Sequence, residues 1–335
     1  MTANGLARDL IHVMFAASIA GLAVLTSACG GGDSADRGAA GSPVADRGAA
    51  GSPVSESPGG VFDLVPDDQR DLAQTDVQAL LADQAFESVA DQFLEQWESL
   101  EDLGIFVDEI TSLSIARGES GTLVIIDGDF DQAGIEEELY DLYFEDDNYR
   151  DTEYWTGVAN VFREQTGTLA FLGGGRVLLG WPGDEVVKDA IRTLARGAGS
   201  LGEEAGIGGI AERLPEGFWS YIEASCGGWG LRDCNAWGTA VTSQDEFTAG
   251  QTWVFAFEDE RAAKFNLDEI EEGFGGLEDE LQYFETSVSQ DGAYVLVTAA
   301  QDTEDVALRD LSFALKRIDP TRTPIYEPET PTPSS

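Results

Sequence analysis

The 335-residue chain has a single histidine, His12. It lies in an apolar N-terminal segment, so the rest of the chain has no imidazole. That excludes Ser-His and Cys-His nucleophilic machinery, histidine general bases and the usual zinc ligand sets. Lysine is nearly as scarce, with only Lys188, Lys264 and Lys316. Three places before them stand Glu185, Arg261 and Phe313, so there is no Ser-x-x-Lys dyad. Basic residues number 19 against 63 acidic ones, a net charge of −44. Such a body repels nucleic-acid phosphates, and no nucleic acid is expected as a partner. The charge favours solubility, suits a salty medium that screens self-repulsion, and attracts cations or basic partners. Gly197-Ala198-Gly199-Ser200-Leu201-Gly202 matches G-x-G-x-x-G by letter but follows a helical pattern instead of a strand. It reads as a linker, and no cofactor is expected.

What the chain does have at its start is an apolar run, Leu10 to Leu25 (LIHVMFAASIAGLAVL), behind a short segment containing Arg8. The run is short for a membrane span and of the right length for a secretion signal. It leads into Leu25-Thr26-Ser27-Ala28-Cys29 followed by Gly30-Gly31-Gly32. This stretch resembles the lipobox of bacterial lipoproteins. The resemblance implies removal of residues 1–28 by a type II signal peptidase. It also implies a diacylglyceryl thioether on Cys29, often with a further palmitate-type chain on its amine. Two or more acyl chains suffice for stable anchoring, so the membrane is an expected partner, reached through lipid from the extracytoplasmic side. Ordinary signal cleavage and an uncleaved anchor are the alternatives. The other two cysteines, Cys226 and Cys234 in CGGWGLRDC, read outside the cytoplasm as a disulfide worth about 2–3 kcal/mol.

Residues 29–60 form a Gly/Ala/Ser/Pro tether that contains ADRGAAGSPV twice in tandem, at Ala35–Val44 and Ala45–Val54. It buries too little to fold, and as a coil it reaches roughly 30 Å. The tail from Asp319 to Ser335 is Pro/Thr-rich and is expected to be disordered as well. Between these ends the pattern predicts a helix within Asp71–Leu103, from Phe86, Val89, Ala90, Phe93, Leu94, Trp97 and Leu100. Two halves follow, 61–200 and 201–318. In the first, strands are expected at Ile110–Ala116, Gly121–Ile126 and Tyr154–Phe162, with a hairpin around Gly173–Gly175. Helices are expected at Ala133–Phe144 and at Asp184–Arg196, with Asp184 as its cap. In the second, the strands are Trp237–Ser243 and Gln251–Phe257, with a hairpin turning at Gln290–Gly292. Its helices are Arg261–Phe274 and Asp305–Lys316. TLVIIDGDFDQAGIEEEL in the first half rhymes with TWVFAFEDERAAKFNLDEI in the second. The expected fold is therefore α+β: two diverged β-β-α repeats forming two antiparallel sheets, helices packed on one face, preceded by an N-terminal helix. This layout with signal and tether resembles bacterial lipoproteins to which no enzymatic family is assigned.

The candidate sites are few. Asp127, Asp129, Asp131 and Glu138 have the spacing of calcium-loop ligands, but the turn position is Gln132, the aliphatic position is Gly134, and a β run precedes them. They read as a strand-to-helix junction and only weakly as metal ligands. Tyr149, Tyr154, Trp155, Trp229 and Trp237 stand among acids, where aromatic faces can hold a sugar; the other reading makes them core. No catalytic residue is assigned. The expected function is a non-catalytic binding or envelope-assembly module, with an envelope protein or polysaccharide as partner. The alternatives are a carboxylate-dependent hydrolase acting on polysaccharide, which needs two facing acids about 5–10 Å apart, and a cation-binding domain.

Overall fold

The computed structural model describes residues 59–303 apart from 198, 205, 246, 282 and 283. The signal run, Cys29, the tether, the Asp305–Lys316 helix and the Pro/Thr tail lie outside the described residues. The fold is α+β and its sheet is antiparallel throughout, as the sequence predicts.

The chain enters through a short helix, α1 (Gly59–Phe62), and strand β1 (Gln69–Asp76). Helices α2 (Val77–Ala82) and α3 (Glu87–Trp97) follow, linked by 3₁₀ turns. The single N-terminal helix expected within 71–103 is thus a strand and a broken run of helices. Asp76 sets the break: it ends β1, and its carboxylate accepts the N–H of Ala79, capping α2. The periodic side chains Phe86, Val89, Phe93, Trp97 and Leu100 are all buried. Next come β2 (Ile110–Gly118), β3 (Thr122–Gly128), α4 (Gln132–Asp141), β4 (Glu145–Tyr149), β5 (Thr152–Val158), β6 (Thr166–Gly173), β7 (Arg176–Trp181) and α5 (Glu185–Arg196). The second half holds α6 (Ile207–Ala211), β8 (Trp219–Glu223), β9 (Cys234–Ser243), β10 (Thr248–Phe257), α7 (Glu260–Leu281), β11 (Phe284–Asp291) and β12 (Tyr294–Asp302).

The two expected sheets are one. The strand order is β11-β12-β10-β9-β8-β1-β2-β3-β7-β6-β5-β4, and β1 pairs with β8 at the seam, Ala73 facing Tyr221. Each half runs three strands outward from that seam, then a helix; the first half then returns with four strands, β4 to β7, and the second with two, β11 and β12. The rhyming segments β3–α4 and β10–α7 occupy equivalent places, each the third strand from the seam and the helix after it.

Nor are the helices confined to one face. Leu72, Leu123, Ile125, Leu178, Ile222 and Val254 share a core with Val186, Val187 and Ile191 of α5 and Ile207 and Ile210 of α6. Their strand neighbours Val124, Ile126, Leu179, Trp253 and Phe255 point the opposite way and are buried too. Phe274 of α7 covers Trp253 and Phe255, and α2 packs on β2. A sheet apolar on both faces needs cover on both, which is why β3 reads as a continuous apolar run. The Gly197–Gly209 stretch is part of that cover, not a linker. Ser200 bridges to Pro66, Leu201 and Ile207 are fully buried, and Gly206, at φ 93, lies where a Cβ would come within 2.6 Å of Ala256.

Candidate functional site

The junction after β3 resolves as structure. Arg176 on β7 donates to both oxygens of Asp127, Nε at 2.6 Å and Nη2 at 3.1 Å, and the Ser112 hydroxyl donates to the same carboxylate. Asp131 sits at the start of α4 without a side-chain capping bond, and Glu138 is exposed on that helix. Among the described residues no group of three or more His, Cys, Asp or Glu is arranged to hold a metal ion. In the second half the equivalent Asp259 does cap, accepting the Ala262 N–H at 2.8 Å.

The five aromatic candidates fall into two separate clusters. Tyr149, Tyr154 and Trp155 belong to the β4–β5 hairpin at one end of the sheet. Trp229 and Trp237 belong to the second half, and six strands lie between β5 and β9. At the usual strand spacing that is roughly 34 Å, so one small ligand cannot use both.

In the hairpin, adjacent residues on β5 point to opposite faces. Trp155 is buried with its ring edge-on to Phe171 at 5.4 Å, and its indole N–H has no acceptor among the described residues. It is core. Tyr154 lies under α5, its hydroxyl donating to Asp147 at 2.9 Å, with the Lys188 ammonium 5.1 Å from the ring centre. Burial, and then the Asp147 carboxylate, raise the Tyr154 phenol above its ordinary value. Asp184 stands at the N-cap position of α5, as expected, but makes no side-chain capping bond; its carboxylate takes Lys188 one turn on at 2.5 Å, and that contact raises the lysine. Tyr149 is half-buried and accepts from Arg192 Nε at 3.2 Å; the guanidinium lowers its phenol. Asp147 is lowered by the N–H of Asn148 and then by Tyr154. The sequence reading missed Lys188 and Arg192, although their (i, i+4) spacing on the α5 pattern was legible.

In the second half, Cys226 and Cys234 form the disulfide, with Cα atoms 5.7 Å apart. The loop they close places Trp229 edge-on to Trp237 and Phe255, at 5.3 and 5.0 Å, and parallel to Phe274 at 6.0 Å. Asn266 of α7, fully buried, holds the same loop by its backbone: its Oδ1 accepts the Arg232 N–H at 3.0 Å and its Nδ2 donates to the Arg232 carbonyl at 2.8 Å. Trp237 donates its indole N–H to Glu223, as does the hydroxyl of Tyr221, each at 3.2 Å. Glu223 faces Asp71 directly across the seam, and Asp71 faces Arg117 on its other side. Register thus sets Arg117, Asp71, Glu223 and Trp237 in one row across four adjacent strands. Sequence reasoning missed Asp71 and Glu223 because β1 and β8 were not read as strands, and Arg117 because the strand expected at Ile110–Ala116 stopped one residue short of it.

No protein-family model matches the chain, and no curated protein matches it. Among solved structures, "Structure of crystal form IV of TP0453" is 11% identical with a TM-score of 0.45, covering 75% of this chain and 98% of that one. "Structure of crystal form I of TP0453" is 10% identical with a TM-score of 0.44, covering 77% of this chain and 98% of that one. Nothing about activity or binding follows from a likeness of that size.

Proposed function

We propose that the chain is a lipid-anchored extracytoplasmic protein that works as a non-catalytic binding or envelope-assembly module. The observation that carries the reading is Leu25-Thr26-Ser27-Ala28-Cys29 behind the Leu10–Leu25 apolar run. Two features support it. The closed Cys226–Cys234 bridge fits an oxidising compartment. Residues 30–58, of tether composition, separate Cys29 from the first described element at Gly59, enough to hold the fold off a membrane surface. Among the described residues no helix is long and apolar enough to cross a membrane. Mass spectrometry of the protein from its native host is the test. The expected mature N-terminus is Cys29 carrying acyl chains. A polypeptide that keeps residues 1–28 and fractionates with the cytosol would overturn the reading.

A second reading, hydrolysis of polysaccharide by two carboxylates, has one foothold: Asp71 and Glu223 face each other on adjacent strands beside Tyr221 and Trp237. Release of reducing ends from a soluble glycan, abolished in Glu223→Gln, would establish it; no release by the unsubstituted protein would remove it.

A further inference from the structure

The two ends of the sheet are finished differently. At one end the outer strand, β11, carries a register shift between Phe284 and Ser287, and α7 packs along it. Bulges and covering helices are ordinary guards against stray strand pairing. At the other end, β4 (EDDNY) pairs with β5 in unbroken register, Glu145 opposite Thr156 through Tyr149 opposite Thr152. It has no bulge and no proline. A two-residue connection, Arg150-Asp151, joins the strands, so Tyr149, Asp147 and Glu145 spend their backbone groups on β5 while those of Asp146 and Asn148 point outward. The Asn148 N–H is held by the Asp147 carboxylate at 2.8 Å. The Asp146 N–H and the two outward carbonyls have no partner among the described residues. The hairpin is fixed from both faces, by Trp155 on Phe171 and by Tyr149 on Arg192, so the edge is preformed and little ordering is lost when a strand joins it.

We infer that β4 is a strand-addition interface for an extended, lysine- or arginine-rich peptide segment of an envelope partner. The inference rests on the binding-module reading and supplies its partner chemistry. What keeps β4 from pairing at random is charge, and a charge guard is specific in sign. Glu145, Asp146, Asp147 and Glu153 repel a second copy of this acidic chain and favour a basic strand. Main-chain hydrogen bonds then supply register and affinity, and alternate basic side chains supply the selectivity.

The test uses the mature chain and a fluorescein-labelled peptide of about eight residues alternating lysine and valine. Its control is the same peptide N-methylated at alternate residues, which keeps the charge and removes the strand-pairing donors. Saturable binding by anisotropy is expected, at least about tenfold tighter than that of the methylated peptide. Asp146→Pro, which deletes an outward donor and no β5 bond, should weaken it by a similar factor, and Asp146→Asn much less. Equal binding of both peptides would mean simple adhesion to an acidic body and would overturn the inference. So would an absence of saturable binding at low salt, or a dimer of the chain alone that Asp146→Pro dissolves. Should Asp146→Pro fail to fold by circular dichroism, the two peptides decide the matter between them. None of these outcomes depends on whether Cys29 is acylated, so failure here leaves the anchoring result untouched.

Discussion

The two halves leave the seam alike and finish differently. Each lays down three strands and turns into a helix, β3 into α4 and β10 into α7. The first half then spends 10 residues on its helix and adds the β4–β5 hairpin, which has no counterpart. The second half spends 22 residues on its helix and adds a disulfide loop that wedges Trp229 under it. Both meet one requirement, that an open sheet apolar on both faces be covered and its outer strands protected. One half meets it with more sheet and the other with a longer helix held by a covalent bridge. The difference teaches that the aromatic candidates follow largely from the finishing devices: Tyr149, Tyr154 and Trp155 sit on the added hairpin and Trp229 on the disulfide loop, whereas the acids Asp71 and Glu223 belong to the seam.

The strongest way to break this comparison is to remove the anchoring ring of each device. Trp155→Ala empties a fully buried site and should lower unfolding free energy by about 3–5 kcal/mol in chemical denaturation. Trp229 is half-exposed, and Trp229→Ala should lower it by only about 2 kcal/mol. Equal losses would mean that the hairpin is not core and that the halves are finished to the same depth.

The disulfide sharpens the same contrast. The paired substitution Cys226→Ser with Cys234→Ser should remove about 2–3 kcal/mol. The loss should be local. Hydrogen exchange should quicken across α7 and β9, where Asn266 and Trp229 couple the loop to the helix, and stay unchanged across α4 and β5. Uniform acceleration would show that the loop stabilises the whole sheet and not one device.

Much of the fold was legible because most strands announce themselves. Gly173-Gly174-Gly175 supplies three positive φ values and marked the β6–β7 hairpin, and Asp291-Gly292 marked β11–β12. The elements missed share a cause. β1 and β8 pair with each other at the centre, where Asp71, Gln74, Ser220 and Glu223 interrupt the apolar alternation, so neither strand showed a period. With the seam unseen, one sheet read as two. β4 was missed because EDDNY is exposed along its length and its turn, Arg150-Asp151, has no turn signature. At the candidate sites the residue types were legible and their grouping was not. Register alone brings Glu223 to Asp71, and the strand parity that sends Tyr154 and Trp155 to opposite faces splits a patch that looks continuous in sequence.

The hairpin tyrosines offer a test by pH. Arg192 lowers the Tyr149 phenol, whereas burial and Asp147 raise that of Tyr154. In a spectrophotometric titration Tyr149→Phe should delete an early-ionising phenol, and Tyr154→Phe a late one. The signs for stability are opposite. A phenol lowered in the fold contributes its full stability above its unfolded value near 10.0 and loses it as pH falls through the folded value. A phenol raised in the fold subtracts stability once pH exceeds that same unfolded value. Neither acts near neutral pH, so any difference between the two variants in the pH dependence of Tm should open only in alkali.

The smallest expected effect separates the two outer turns. The β11–β12 turn places Gly292 first at φ 61, as a type II′ turn requires, and a glycine meets that angle without strain. The β4–β5 turn needs positive φ at both central positions and fills them with Arg150 at 52° and Asp151 at 65°. Asp tolerates the left-handed region better than Arg, but each non-glycine residue there is strained by about 1 kcal/mol. Asp151→Gly should recover that strain, less the entropy a glycine adds to the unfolded chain, for a net gain of roughly 0.5 kcal/mol. It also removes one negative charge beside Glu153 and Asp147. Gly292→Ala should do the reverse and cost about 1 kcal/mol. If Asp151→Gly lowers Tm instead, the Asp151 side chain holds the turn through a contact of its own, and the first-half hairpin owes its order to that contact more than to Tyr149 and Trp155.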